Sequence, residues 1–334
     1  MSHFSPPLTS DPQAPVAEFP PDREVGSLRR RIVALLIDSI VVGIAGTLIA
    51  LPFFDFFSRL GAWGRLVGFC LAVPYFVLLN SRIGNGQTLG KRAMHLQVVN
   101  ASGEPIPVSK SFIRYLVLGA PFFLNGLRLP ITRTPQIVTY LLTGVIFGLG
   151  ATTIYLVLFN RRTRQGVHDL AAGTYVADAD KSGALVVHPI WRGHWAVLCA
   201  LVVMAFIGGK VLESKLTKLA DFPAMLSDAR VVEDMDHVQS AGVSDLTWTP
   251  WSGAEKKTIY VVNVFWSGQQ SQEEGFAKRV ASRILENDPH VADRDRLRIV
   301  IVRGYDLGIA QAQRSNPFED SPVGWKAKLQ TLAE

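Results

Sequence analysis

The chain has 334 residues, of which 48% are hydrophobic and only 19% charged, with a net charge of +6. Soluble domains average about 25% charged residues, so a single soluble unit is excluded. Residues 1–212 carry 19 Lys/Arg and 10 Asp/Glu, a balance of +9, and residues 213–334 carry 15 and 18, a balance of −3. The positive charge thus lies at the ends of apolar runs, which argues against a nucleic-acid-binding face.

Residues 1–28 hold Pro6, Pro7, Pro12, Pro15, Pro20 and Pro21 and read as a disordered cytoplasmic tail. Five apolar runs come after it, at 32–54, 60–79, 112–129, 137–159 and 195–212, each near the roughly 20 residues a span needs. The third carries Arg114, Pro121 and Asn125, and its crossing decides on which side of the membrane the C-terminal residues lie. One set of loops collects Arg23, Arg29–Arg31, Arg82, Lys91, Arg92, Lys110, Arg161, Arg162, Arg164, Lys181 and Arg192, against Arg59, Arg65, Arg128 and Arg133 on the other. The first set is therefore expected in the cytoplasm, with the N-terminus inside and everything after residue 212 outside. Cys70 and Cys199 lie in apolar runs and are expected as small buried hydrophobes.

The inner loops contain strand-like pieces, "MHLQVVNASGEPIPVS" with a turn at its centre and "GTYVADAD", expected as a small cytoplasmic cap. Residues 177–193 link this part to the fifth span at 194–212. Residues 213–334 read as a soluble α/β domain, with an amphipathic helix near 213–230 and strands in "KKTIYVVNVFWS" and "RLRIVIVRGYDLG". Between the strands lies a helix with a capping box from Ser271 to Glu274 and an apolar stripe of Phe276, Val280, Ile284 and Leu285. Little core is expected in this domain, which suggests packing on the membrane or a partner. The fold class is thus an α-helical transmembrane bundle of about five spans with a small C-terminal α/β extracytoplasmic domain.

"IGNGQTLGKR" departs from a phosphate loop, because Asn85 stands at the first glycine and Arg92 at the Ser/Thr that would hold magnesium. The scattered histidines support no metal site and no cofactor is implied. Arg31 and Asp38 share a helix face but lie about 10 Å apart along the axis, so each needs another partner. A charge at mid-membrane costs roughly 3 kcal/mol on insertion scales, so Asp38 should face the bundle, with Arg114 its expected partner and His168 or the inner-loop arginines the alternatives. His168 and Asp169 adjoin, and neighbours in a helix do not face each other, so they read as a polar membrane-edge contact, with a proton-handling role as the alternative. Arg303, Asp306 and Trp266 suggest a binding edge on the outer domain, or plain strand-end residues and a packed tryptophan.

Four separated motifs now stand in order: Arg31 with Asp38; Gly86, Thr88, Gly90 and Lys91; Arg114; and Arg164-Gln165-Gly166-x-His168-Asp169. Together they resemble the RDD family of bacterial integral membrane proteins over about residues 29–176, with Arg31, Asp38 and Asp169 as the naming residues. The resemblance implies an inner-membrane protein without assigned biochemistry. For some members it implies sodium/proton exchange, which would give Asp38 an ion- or proton-binding role. Two functions are consistent with this: a non-enzymatic interaction protein whose outer domain binds an envelope partner, or a cation/proton antiporter, with a homodimer widening its pathway.

Overall fold

The computed structural model describes residues 23–127, 129, 134–186, 188–218, 221–249 and 256–330. The Pro-rich leader through residue 22 lies outside them, as do Arg128 and Arg133. Residues expected at the end of the tail instead pack on the cap: the Arg23 guanidinium donates to the Gly103 carbonyl at 2.7 Å and to the Gln97 side chain.

Helix α1 (Leu28–Ala50) buries a single stripe, Ala34, Asp38, Val42, Gly46 and Ala50, at four-residue spacing. The remaining faces expose Ile32, Leu35, Leu36, Ile40 and Ile44, so α1 is apolar around almost its whole circumference. A short turn at Leu51–Phe53 leads into α2 (Phe54–Arg59) and the chain reverses into α3 (Trp63–Val73). There Pro74 lacks the amide proton an α-turn requires, and Pro74–Leu78 widens into a π-turn. Next come α4 (Leu89–Ala93), β1 (Leu96–Val99), α5 (Val108–Leu124), α6 (Gln136–Phe159), α7 (Val167–Ala172), β2 (Tyr175–Asp178) and α8 (Arg192–Leu216).

Among the described residues three helices are long and apolar enough to cross a membrane: Leu28–Arg59, Gln136–Phe159 and Arg192–Leu212. The apolar segment Trp63–Leu78 is shorter, and α5 has 17 residues. Neighbouring helices run antiparallel. Ser111 donates to the Val77 carbonyl at 2.7 Å and Tyr115 to that of Phe69 at 2.8 Å, pairing α5 with the preceding helix. Phe206 fills the space over Gly144, and Tyr155 shares a 2.9 Å hydrogen bond with His194, pairing α6 with α8. Cys70 and Cys199 are exposed rather than buried. They stand on the outer faces of α3 and α8, where a thiol substitutes for an aliphatic group.

At one end of the bundle β1 pairs antiparallel with β2, Leu96 opposite Asp178. The turn at Asn100–Gly103 returns only a single bridge, Val99 to Pro105, so β2 rather than a hairpin arm is the main partner of β1. At the other end lies the C-terminal domain: α9 (Phe222–Glu233), β3 (Val238–Trp248), β4 (Lys257–Trp266), α10 (Glu273–Asn287), β5 (Arg296–Asp306), β6 (Gln311–Asp320) and α11 (Pro322–Gln330). Its sheet has the order β3-β4-β5-β6, with β4 and β5 parallel through the α10 crossover.

Three expectations for this domain are corrected. The helix placed at 213–230 is split, because α8 runs on to Leu216 and α9 starts only at Phe222. Ser271 makes no capping box: it lies in a one-turn 3-10 segment, and Gln272 precedes α10 without a side-chain cap bond. The domain also has its own core. Trp266 stacks on Phe276 with centroids 4.5 Å apart, amid Val262, Val264, Val280, Ile284, Ile299, Ile301 and Trp325.

The domain docks on the bundle through the turn between β5 and β6. Leu307 and Ile309 pack among Ala50, Phe57 and Val67. A Cβ on Gly68 would overlap the Leu307 carbonyl, and one on Gly64 would lie 2.7 Å from that of Asp306, so only glycine lets α3 come this close. Arg65 pairs with Asp306 at 2.7 Å, Arg303 with Asp55 at 3.0 Å, and Gln239 donates to the Ser58 carbonyl at 2.8 Å. The predicted binding edge of Arg303 and Asp306 is thus occupied by the chain's own bundle.

Candidate functional site

The RDD-like residues meet at the cap end of the bundle, in two polar knots tied around α1. The first knot holds Asp38, which is only 1% exposed. Its Oδ1 accepts from the Tyr75 hydroxyl at 2.6 Å and the Gly90 amide at 2.8 Å. Its Oδ2 accepts from the Thr88 hydroxyl at 2.6 Å, and the Lys91 ammonium stands 3.9 Å away. Thr88 precedes α4 as its N-cap, accepting from the Lys91 amide, and Tyr75 accepts from the Leu89 amide. A Cβ at Gly90 would lie 2.8 Å from Asp38 Oδ1 and overlap the Ala34 carbonyl, so the loop reaches α1 only through glycine. Gly86 fixes the same loop to the cap, its carbonyl accepting from the Val98 amide at 2.8 Å.

Asp38 is therefore not the partner of Arg114. An arginine was expected for charge balance, but donors from one loop and one hydroxyl fill the carboxylate's positions, as buried polar groups require. Tyr75 was missed by sequence reasoning. The signal was a tyrosine next to Pro74 inside an apolar run, since a buried phenol needs a hydrogen-bond partner.

The second knot joins α5 to α7. Arg114 Nε donates to Asp169 Oδ1 at 2.8 Å, with the two residues 6% and 1% exposed. Asp169 also accepts from the Gly166 amide at 3.3 Å and the Thr174 hydroxyl at 3.1 Å. His168 and Asp169 do face each other, with Nε2 3.3 Å from Oδ2. They occupy the first turn of a six-residue helix, where the side chains fold back toward the N-terminus rather than along a longer helix face. Arg31 donates to the Arg164 carbonyl at 2.6 Å and the Val176 carbonyl at 2.8 Å, tying α1 to both ends of the α7 segment.

Electrostatics follow from this burial. Burial pushes the His168 imidazole down to about 4, which keeps the ring neutral. Its proton then lies on Nε2, facing the Asp169 carboxylate. Burial raises Asp169, but the Arg114 guanidinium beside it and the other cations outweigh burial and hold the carboxyl below the usual range. Burial lowers the Lys91 ammonium to about 8, with Arg114 adding to the fall and Asp38 opposing it. Among the described residues no group of three or more His, Cys, Asp or Glu is arranged for a metal ion.

The knots line a cavity of about 210 Å³, walled by Arg31, Asp38, Asn80, Lys91, Arg114, His168 and Asp169 together with apolar side chains of α1, α5 and α6. No curated protein and no solved structure matches the chain. The model of the RDD family matches residues 25–173, a stretch that holds both knots apart from Thr174 and Val176. Residues 25–173, just under half of the chain, thus match the RDD family, three of the described helices are long and apolar enough to cross a membrane, and the C-terminal α/β domain lies beyond the matched segment.

Proposed function

We propose that the chain is a non-enzymatic interaction protein of a bacterial inner membrane, whose bundle crosses five times and holds an extracytoplasmic domain toward an envelope partner. The observation that carries this reading is the filling of Asp38 by donors from its own chain. A carboxylate bound by three short hydrogen bonds and nearly closed to water acts as a fastener for the 81–94 loop rather than as a carrier. Orientation is drawn from the basic residues: Arg29, Arg30, Arg31, Lys91 and Arg92 share the cap end, which puts the cap in the cytoplasm. The antiparallel helix pairs support five crossings and so an outer C-terminal domain.

The second reading, cation/proton exchange, draws on the cavity that Asp38 lines. One experiment separates the two. Purified protein in liposomes is given a sodium or potassium gradient while internal pH is followed, with Asp38→Asn alongside. The fastener reading expects no cation-dependent proton flux in the wild type and a lowered unfolding temperature in the variant. Flux that the variant abolishes would replace it with exchange.

A further inference from the structure

The loop that fastens Asp38 has a second face that the knot does not use. Helix α4 turns Gly90 onto α1. Away from α1 it exposes Leu89, Arg92 and Ala93, three and four residues apart and so on one side of the helix. Earlier in the loop Arg82 and Ile83 are exposed as well. Ile83 is 66% and Leu89 47% exposed, on a segment whose other exposed residues are charged, polar or small. Among the described residues neither Arg82 nor Arg92 has a side-chain hydrogen bond or an ion pair. The acids of the cap outside the knots, Glu24, Glu104, Asp178 and Asp180, belong to the strands and turns of the β1–β2 layer. Three of them are already paired, with Lys181, Arg30 and His95. The loop therefore shows two unbalanced arginines beside two large apolar side chains.

Depth along the bundle sets the surroundings of this face. A Cβ on Gly90 would meet the Ala34 carbonyl and Asp38 Oδ1, so α4 starts about 9–15 Å along α1 from Leu28. That level lies below Arg29, Arg30 and Arg31, the basic residues at the boundary of the span. The end of α4 rises back to the boundary, where Arg30 Nε donates to the Met94 carbonyl at 2.8 Å. Leu89 thus stands on the hydrocarbon side, and Arg92 lies about one turn nearer the headgroups. The Arg82 amide donates to the Ile106 carbonyl at 2.7 Å, which places Arg82 near the start of α5, where Lys110 is also exposed.

We propose that the face made by residues 82–93 binds anionic phospholipid of the leaflet at the cap end. Ile83 and Leu89 insert among the acyl chains, and Arg82 and Arg92 hold headgroup phosphate. The apolar pair sets the depth of the loop, and the arginines choose the headgroup. A planar guanidinium matches phosphate oxygens two at a time. A choline headgroup also carries phosphate, but its own ammonium cancels the charge. A soluble acidic partner would account for the arginines and leave Leu89, deeper than they are, without a role. The surface goes beyond the fastening of Asp38, because none of its four side chains takes part in that knot. Lipid held there pins the outside of the loop whose inside holds the carboxylate.

The test uses full-length protein in vesicles, with Ile83→Trp as a reporter whose added emission is quenched by brominated acyl chains. Strong quenching in brominated phosphatidylcholine alone is expected, because the side chain reaches hydrocarbon whatever the headgroup. In equal mixtures with phosphatidylglycerol, brominated on one lipid or the other, phosphatidylglycerol is expected at the reporter with about twentyfold preference. Arg82→Gln and Arg92→Gln each lower the preference about fivefold and together remove it. Arg59→Gln, an exposed arginine at the other end of the bundle, leaves it unchanged. Unfolding temperature checks each variant, and Leu89→Trp serves as reporter if Ile83→Trp lowers it. Emission that brominated lipid leaves unquenched at both reporters overturns the proposal and gives the face to a soluble partner. So does equal occupancy by the two lipids, a preference that the double variant keeps, or one that Arg59→Gln lowers as much.

Discussion

The two ends of the bundle are joined to their neighbours by different physics. At the cap end, buried charges meet hydroxyls and amides, and nearly every contact depends on a specific polar atom. At the end that carries the C-terminal domain the β5–β6 turn seats against α1 and α3 because glycines let backbone meet backbone, with ion pairs at the rim. Low dielectric makes the first joint intolerant of a missing partner. Close packing makes the second intolerant of added volume.

The sharpest way to break the comparison is at Asp169. Asp169→Asn keeps the shape but leaves the Arg114 guanidinium without its counter-charge in a site that is almost closed to water. A loss of about 3–5 kcal/mol is expected, measured by denaturant unfolding in micelles. Asp55→Asn at the joint to the C-terminal domain, where the carboxylate paired with Arg303 is 72% exposed, is the contrast and should cost about 1 kcal/mol or less. Equal losses in the two variants would mean that burial does not distinguish the ends.

The same difference explains what could be read from sequence. Asp38, Gly90, Lys91, Arg114 and Asp169 stand out because a charge or a glycine in an apolar context has few explanations. The pairing among them was misjudged: Arg114 was matched to Asp38 by depth alone, and nothing in the chain order reveals that α7 returns Asp169 beside it. In the C-terminal domain the β4-α10-β5 unit was legible from its apolar runs. Strands β3 and β6 were missed because they are edge strands, and the polar run of β6, Gln311 to Asn316, has no apolar alternation. The docking of Leu307 on Gly68 was illegible, since it joins residues far apart in the chain through a backbone oxygen, which carries no sequence signature.

Acid should sharpen the contrast. His168 is held near 4 in the folded chain against an ordinary 6.5. Between these values the unfolded chain takes up a proton that the folded chain refuses, so stability is full above about pH 6.5 and falls as pH drops toward 4. The span of about 2.5 pH units corresponds to at most about 3 kcal/mol. Unfolding temperature in micelles, followed from pH 7 to 4, is the measurement. His168→Gln should flatten this part of the profile, and a variant that keeps the full slope would move its origin to another group.

A smaller effect is expected where the joint to the C-terminal domain has no charge at all. Gly68→Ala adds one methyl group, yet that methyl would overlap the Leu307 carbonyl, and backbone on both sides cannot yield as a flexible side chain would. The turn must retreat from α3, at a cost of about 1–3 kcal/mol. The local consequence is more diagnostic than the global one. The Leu307 amide donates to the Ala310 carbonyl at 2.9 Å and the Gly308 amide to Asp306 at 2.8 Å, while Asp306 is held by Arg65. Retreat loosens all three together, so hydrogen exchange should quicken at Leu307 and Gly308 while the amides of α10 stay protected. Gly150→Ala is the matched control, because nothing lies within 4 Å of the Cβ it introduces. If Gly68→Ala exchanges like this control, the turn does not depend on close backbone approach, and the ion pairs at the rim would have to hold the domain.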